Sequence, residues 1–101
     1  MTAANYAREM KVVHRIATHP SCRLIWTKHA EARMAERNIT AADVMRVLTT
    51  GQVTLEETAK QDVLWRVEGA DLDGKPIGLV VAVFEQSIAI KVITVFARGD
   101  G

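Results

Sequence analysis

The chain has 101 residues, enough for one small domain with a single hydrophobic core. Apolar residues make up 49% and charged residues 25% of it, which excludes a disordered chain. The formal net charge is +1, which excludes a strongly basic nucleic-acid-binding domain, so any positive patch must be local. Cys22 is the single cysteine, which excludes an internal disulfide and favours a reducing compartment such as the cytoplasm.

Charged residues argue against targeting and membrane segments. Arg8 and Glu9 interrupt the N-terminal region, which therefore lacks the apolar stretch of a secretory signal peptide. The run over residues 77–97 is apolar, but Glu85 and Lys91 within it would each cost about 2.5–3.5 kcal/mol near the centre of a bilayer. We therefore expect a cytoplasmic protein with no membrane partner.

The first predicted element is an amphipathic helix over residues 2–18. Its apolar side chains recur at spacings of three and four, with polar side chains between them. Pro20 ends the helix, because the residue before a proline is pushed out of helical geometry. A short strand over residues 23–26 follows. We therefore divide the chain into an N-terminal helical extension, residues 1–22, and a main domain, residues 23–101.

Capping residues predict two further helices. Thr27 is a suitable N-cap for a helix that stops near Asn38, a residue type that tolerates the left-handed conformation found after helix ends. Thr40 and Asp43 have the spacing of a capping box at the start of the next helix, which ends at Gly51.

The rest of the chain predicts a sheet. The predicted strands lie at residues 52–58, around 63–68, at 78–85 and at 88–97. Val63, Trp65 and Val67 alternate with their neighbours and should share one buried face. Asp73 and Gly74 are the signal of a hairpin turn. The last two strands are rich in valine and isoleucine on both faces, as is typical of central strands covered on both sides. We predict an α+β fold with helices packed on one face of a three- to four-stranded antiparallel sheet.

The second helix carries a basic stripe, formed by His29, Arg33 and Arg37. These residues are four apart, so they lie on adjacent turns of one helix face. Two arginines at that spacing repel each other by a few tenths of a kcal/mol in an isolated helix. A bound anion would relieve this repulsion, and nucleic-acid phosphate is a common one.

The chain from Trp26 onward resembles the family catalogued as domain of unknown function 4258. The matching residues are His29-Ala30, Arg33-Met34, Arg37 and Ile39-Thr40 around the second helix, Gly69, Asp73, Gly74 and Pro76 in the hairpin, and Ile93-Thr94-Val95 in the closing strand. The resemblance covers roughly residues 23–97. Phe96 stands where the family often has a tyrosine.

By resemblance, this family lies in the group of RelE- and barnase-like ribonuclease folds, many of which are toxins. The resemblance implies RNA cleavage without a metal or another cofactor, and a cognate antitoxin as partner. Such cleavage needs a group that transfers protons and cations that stabilise the charged phosphorane. His29 suits proton transfer, and Arg33, Arg37 and Thr94 would hold the phosphate. The spacings of histidine and cysteine match none of the usual zinc ligand pairs, so no metal site is predicted.

Each of these residues also has a structural interpretation. His29 is equally suited to a solvated or capping position, and Arg33 to an ion pair with Glu36 on a solvated helix face. The Thr94 hydroxyl is unusual in a strand of valine and isoleucine. It would orient a phosphate or the His29 ring, or else form a hydrogen bond with a neighbouring group.

Further residues would extend an RNA-binding surface. Lys28, Arg66 and Lys91 carry positive charge next to the predicted site, although lysines and arginines on strands are more often solvated. Trp65 has the ring to stack on a base, but its alternation with valines favours a core position.

A rival hypothesis is a non-catalytic binding or inhibitory protein of the same fold, encoded by a phage or mobile element. Phe96 in place of tyrosine and the near-neutral net charge favour it. The N-terminal helix would then pack across the sheet, cover the site or mediate a homodimer.

Overall fold

The computed structural model describes residues 5–98 and has an α+β fold. The helices are α1 (Ala7–Ala17), α2 (Lys28–Arg37) and α3 (Ala41–Thr50). The strands are β1 (Arg23–Trp26), β2 (Gln52–Ala59), β3 (Asp62–Ala70), β4 (Pro76–Phe84) and β5 (Ala89–Ala97). Within the described range, no helix is both long and apolar enough to cross a membrane.

The five strands form one mixed sheet in the order β1-β5-β4-β3-β2. The four later strands are antiparallel neighbours, whereas β1 lies parallel to β5 at the edge. The α+β prediction is therefore confirmed, but the prediction of a purely antiparallel sheet of three or four strands is wrong. The backbone hydrogen bonds from Arg23 N to Ile88 O and from Thr27 N to Val92 O, 3.0 and 3.2 Å long, extend the ladder at both ends of β1. The expected short strand thus belongs to the sheet.

The predicted helix caps are all present. Thr27 is the N-cap of α2, and its hydroxyl accepts a hydrogen bond from the backbone N–H of Ala30 at 3.0 Å. Asn38 ends this helix in the left-handed region, at a φ of 56°. Thr40 and Asp43 form the complete capping box of α3. Side chains that satisfy the free N–H groups of a first turn fix where each helix begins.

The hydrophobic core lies between the three helices and one face of the sheet. The helices contribute Val13, Ile16, Ala30, Val44, Val47 and Leu48, and the sheet contributes Val53, Val67, Ile77, Leu79, Val81, Ile90, Val92 and Val95. In the central strand β4 the odd-numbered residues from 77 to 81 are buried in this cluster. Alternation along the strand therefore directs the even-numbered residues of β4 to the opposite face.

We call this opposite face of the sheet the open face. Cross-strand pairing with the even-numbered residues of β4 identifies its other members, since paired residues point to the same side. The open face includes Ile25, Leu64, Arg66, Glu68, Val80, Phe84, Lys91, Thr94 and Phe96. The prediction that the central strands are covered on both sides is wrong in one respect: every helix of residues 5–98 packs on the other face.

Two local predictions need correction. Val63 is 50% exposed, although Val67 is buried and Trp65 packs against the core. The pairing of β3 with β4 begins only at Trp65, so the first residues of β3 extend beyond the covered part of the sheet. The first helix begins at Ala7 within the described range, and residues 2–4 of its predicted span lie outside it.

Candidate functional site

The basic stripe lies on a regular helix, as predicted. His29 and Arg37 are exposed and Arg33 is partly buried. The guanidinium of Arg33 binds the carboxylate of Glu36 at 3.2 Å, one turn further along α2. Such exposed pairs contribute about 0–1 kcal/mol, but this one offsets part of the repulsion between the two arginines. Lys28 is exposed in the first turn of the same helix.

The start of α2 is fixed to strand β5. Besides capping the helix, the Thr27 hydroxyl donates a hydrogen bond to the carbonyl oxygen of Ile93 at 2.7 Å. Ile93 is the additional residue of a β-bulge, because Val80 and Val81 of β4 pair with Thr94 and Val92. Bulges interrupt the ladder and leave backbone groups free for other partners. The start of α2, the helix that carries His29, is therefore hydrogen-bonded to this bulge.

Helix α2 then takes the place of β1 beside the second half of β5. The pairing of β1 ends at Val92, and α2 packs against β5 from there on. At the far end, Arg37 lines a groove of about 490 Å³ together with Ala97 and Arg98. The basic stripe therefore runs alongside residues 93–98, from the bulge to the end of the strand.

The open face holds a second group of predicted site residues, Arg66, Lys91 and Thr94. Arg66 of β3 and Thr94 of β5 both pair with Val80 of β4, one from each side. Arg66, Val80 and Thr94 therefore form a row across the sheet. Lys91 pairs with Ala82 in the next row. All three predicted residues are partly buried.

Arg66 extends from β3 across β4 toward β5. Its guanidinium carbon lies 5.4 Å from the centre of the Phe96 ring, within the range of a cation–π interaction. The Phe96 ring in turn lies on Gly78, where a Cβ atom would collide with it. An aromatic ring over a strand glycine covers the exposed backbone. The cation, the ring and the glycine therefore form one layer on the open face.

Glu68 links this layer to the end of β5. Its carboxylate binds Arg98 at 2.8 Å and approaches Arg66 at 4.0 Å. Glu68 and Arg98 were not identified from the sequence as parts of a site. The alternation in β3 places Arg66 and Glu68 on one face, but only the register of the sheet shows that Phe96 and Arg98 lie opposite them.

The structure thus divides the predicted site residues into two groups. His29, Arg33 and Arg37 lie on α2, which packs on the covered face, whereas Thr94 points to the open face. The two groups therefore belong to different surfaces. The basic stripe runs alongside residues 93–98, where Thr94 lies and where Arg66 reaches Phe96, whereas Lys91 lies before the bulge. Thr94 directly follows the residue that anchors α2.

Trp65 is not part of either group. It packs against the core on the covered side, and its indole N–H donates a hydrogen bond to Glu56 at 3.3 Å. A solvent-facing platform for a base would require the ring on the open face. The predicted core position of Trp65 is therefore confirmed.

The N-terminal helix lies away from the open face. α1 packs on α3 and β2 on the covered side, with Val13 and Ile16 in the core. Between α1 and the end of α3 is a groove of about 720 Å³, lined in part by Tyr6, Met10 and His14. Packing on the sheet, one of the arrangements expected for this helix, is therefore observed, and Ala7–Ala17 does not cover the open face.

Metal binding and nucleophilic attack by a thiol would need acidic, histidine or cysteine side chains in a suitable setting. Among residues 5–98, no three histidine, cysteine, aspartate or glutamate side chains are grouped closely enough to hold a metal ion. Burial raises the pKa of the Cys22 thiol, which disfavours the thiolate form that acts as a nucleophile.

Comparison with known proteins agrees with the sequence resemblance. Residues 26–97 match the family described as a domain of unknown function, DUF4258. The chain belongs to this family. No curated protein and no solved structure matches it significantly. The DUF4258 domain contains α2, α3 and nearly the whole sheet, whereas α1 precedes it.

Proposed function

We propose that this DUF4258 protein acts on RNA as a small ribonuclease of toxin type that requires no metal. One observation carries the proposal: the basic stripe of α2 and the Arg66–Thr94 row flank the same half of β5. An RNA strand along residues 93–98 would have cations on both sides. Phosphates bind guanidinium groups strongly, and single-stranded RNA binds surfaces that combine cations with apolar side chains. In this proposal the fold is RelE/barnase-like and an antitoxin is the natural protein partner.

The residues have distinct roles in this proposal. His29 transfers a proton at the 2′-hydroxyl or at the leaving oxygen, because a histidine changes its charge close to neutral pH. Arg33 and Arg37 stabilise the charge that develops on the phosphate. Thr94 donates a hydrogen bond to a phosphate oxygen. Lys28, Arg66 and Lys91 bind neighbouring phosphates through their positive charge.

The test is RNA cleavage in the presence of EDTA. Purified protein is incubated with a labelled single-stranded RNA, and the products are separated on a gel. We expect cleavage by the wild-type chain and a loss of at least about a hundredfold in His29→Ala, the usual contribution of a proton-transfer residue. His19→Ala is the matched control, because His19 is exposed and lies outside both groups. Absence of cleavage, or equal activity of the His29→Ala variant, would contradict the catalytic role.

A second function is favoured by the apolar side chains of the open face. Ile25, Leu55 and Phe84 are 38%, 36% and 39% exposed there. They lie on different strands of the same face, and apolar side chains exposed on one surface are typical of protein-binding sites. We therefore propose, as the alternative, a non-catalytic protein that binds another protein through this face. A tight protein partner, together with RNA binding that does not depend on salt, would favour this alternative.

A further inference from the structure

Arg66 is the most constrained cation of the open face. Its Nε atom is buried and has no hydrogen-bond partner within residues 5–98. Its guanidinium lies over the ring of Phe96, which rests on Gly78. Packing against apolar groups, rather than a set of hydrogen bonds, therefore fixes the guanidinium. Because it is already ordered, it loses little conformational freedom when a ligand binds.

The positive charge of Arg66 is only partly neutralised. The distance from its Nη1 to Glu68 is 4.0 Å, the outer limit of an ion pair, while Arg98 binds the same carboxylate at 2.8 Å. The Glu68 charge is thus taken up mainly by Arg98. The Arg66 side chain is 39% exposed, so the outer nitrogens of the guanidinium are accessible from the open face. A guanidinium in this state has free donors for an anion.

The position of Arg66 indicates which anion fits. It shares a row with Thr94, whose hydroxyl can donate to the same ligand. Leu55 is exposed and pairs directly with Arg66 at one end of this row, and Ile25 is exposed beside Lys91 in the next row. Single-stranded RNA offers this combination, because its phosphates alternate with bases that stack on apolar surfaces. In a duplex the bases are paired and stacked on one another, so they cannot stack on the apolar side chains of this surface.

We propose that the Arg66 guanidinium is a preformed subsite for one backbone phosphate of single-stranded RNA, with Phe96 as its positioning residue. This inference rests on the proposed function, because that function supplies RNA as the source of the phosphate. It adds that the guanidinium is held in place before the strand binds, that it takes one phosphate, and what the Phe96 ring contributes.

The test is equilibrium binding of a fluorescent 2′-O-methyl RNA oligonucleotide, which cannot be cleaved through its 2′-hydroxyl. We expect Arg66→Ala to bind about tenfold more weakly, as for loss of one hydrogen bond between charged groups. The slope of log affinity against log salt should fall by about 0.7, the value for one phosphate contact on a single strand. Arg46→Ala is the matched control, since Arg46 is exposed on α3, and it should change neither quantity.

Two conservative variants separate positioning from charge. Arg66→Lys keeps the charge but loses the planar fork, so we expect an unchanged salt slope and about threefold weaker binding. Phe96→Leu keeps an apolar cover on Gly78 but removes the ring. We expect this variant also to bind the oligonucleotide about threefold more weakly, with an unchanged salt slope. Thermal unfolding shows that each variant is folded. If Arg66→Ala does not fold, Arg66→Lys decides: binding equal to wild type overturns the subsite.

The binding experiment on Arg66 and the cleavage experiment on His29 can each fail without the other. Oligonucleotide binding that depends on Arg66 supports the subsite even if His29→Ala cleaves RNA as well as the wild-type chain. Cleavage that depends on His29, with Arg66→Ala binding the oligonucleotide at wild-type affinity and salt slope, overturns the subsite and leaves the catalytic proposal intact.

Discussion

At the scale of single residues, Asp43 joins two distant parts of the chain. One carboxylate oxygen accepts hydrogen bonds from the N–H and hydroxyl of Thr40, each at 2.9 Å, and so caps α3. The other accepts a hydrogen bond at 2.9 Å from the N–H of Leu72, in the loop between β3 and β4. The hydrogen bonds from the backbone of Thr40, then Leu72, lower the pKa of Asp43. Its ionised form therefore stabilises the folded state.

We predict that this stabilisation depends on pH. Asp43→Asn places an amide donor against N–H donors and should lower the free energy of unfolding by about 2 kcal/mol at neutral pH. The folded-state pKa is lowered, so the contribution is complete above the ordinary pKa of an aspartate, about 3.9, and is lost as the pH falls through the lower folded value. Urea unfolding of both proteins from pH 7 to pH 2.5 measures the difference.

The exposed Asp73 provides the control for this experiment. Asp73→Asn should change stability by less than about 0.5 kcal/mol at every pH, as is usual for a surface position. A difference between wild type and Asp43→Asn that persists unchanged at the lowest pH would contradict the account.

The capping residues were predictable from the sequence, but their second partners were not. Thr27, Thr40 and Asp43 are recognisable because capping depends on residues only three apart. The bonds to Ile93 and Leu72 join residues 66 and 29 positions apart, which no local pattern encodes. The sequence also did not predict that the first residue of the strand expected at 88–97 would have a positive φ.

That residue is Ile88. Its φ is 50°, in the left-handed region that β-branched residues rarely adopt. Its side chain packs against the core, and its carbonyl oxygen accepts the hydrogen bond from Arg23 at the start of β1. The packing of the Ile88 side chain and the hydrogen bond from Arg23 offset this backbone strain. Both interactions exist only once the fold is assembled.

At the scale of secondary-structure elements, α2 and β1 divide the outer edge of β5 between them. β1 pairs with residues 89–92, and α2 lies beside the rest of the strand. The bulge at Ile93 marks the change from one neighbour to the other. Periodicity predicted both elements, because amphipathic spacing and capping are local. It did not predict that β1 joins the sheet, because a strand of four residues has no pattern that specifies its partner.

We predict that the anchor at Thr27 is needed for activity as well as stability. Thr27→Val has nearly the same shape but loses the cap and the bond to Ile93, and should cost about 1–2 kcal/mol in the free energy of unfolding. Because α2 is then free to shift along β5, RNA cleavage at a temperature well below unfolding should fall at least about tenfold.

Thr40→Val is the matched control for the anchor. It removes the cap of α3, where no site residue lies, and should cost a similar amount of stability without the loss of cleavage. If both variants cleave RNA at the wild-type rate while Thr27→Val is measurably less stable, the anchor has only a structural role.

At the scale of the whole molecule, the sheet has one face covered by the three helices and one open face. The helices and the core occupy the covered face, which leaves Arg66, Lys91 and Thr94 together on the open face. The sequence identified all three as candidates by residue type. Their separation from the basic stripe was not predictable, because it depends on the register of β3, β4 and β5 and on the bulge that changes the alternation within β5.

The central claim is that RNA lies along residues 93–98, between α2 and the open face. The most direct measurement is an NMR titration of the ¹⁵N-labelled protein with a short single-stranded 2′-O-methyl RNA, which reports every backbone amide separately. We predict chemical-shift changes for residues 93–98, for the first turn of α2 and for Arg66, with little change in α1. Changes confined to α1 and α3, or none at saturating oligonucleotide, would contradict the claim.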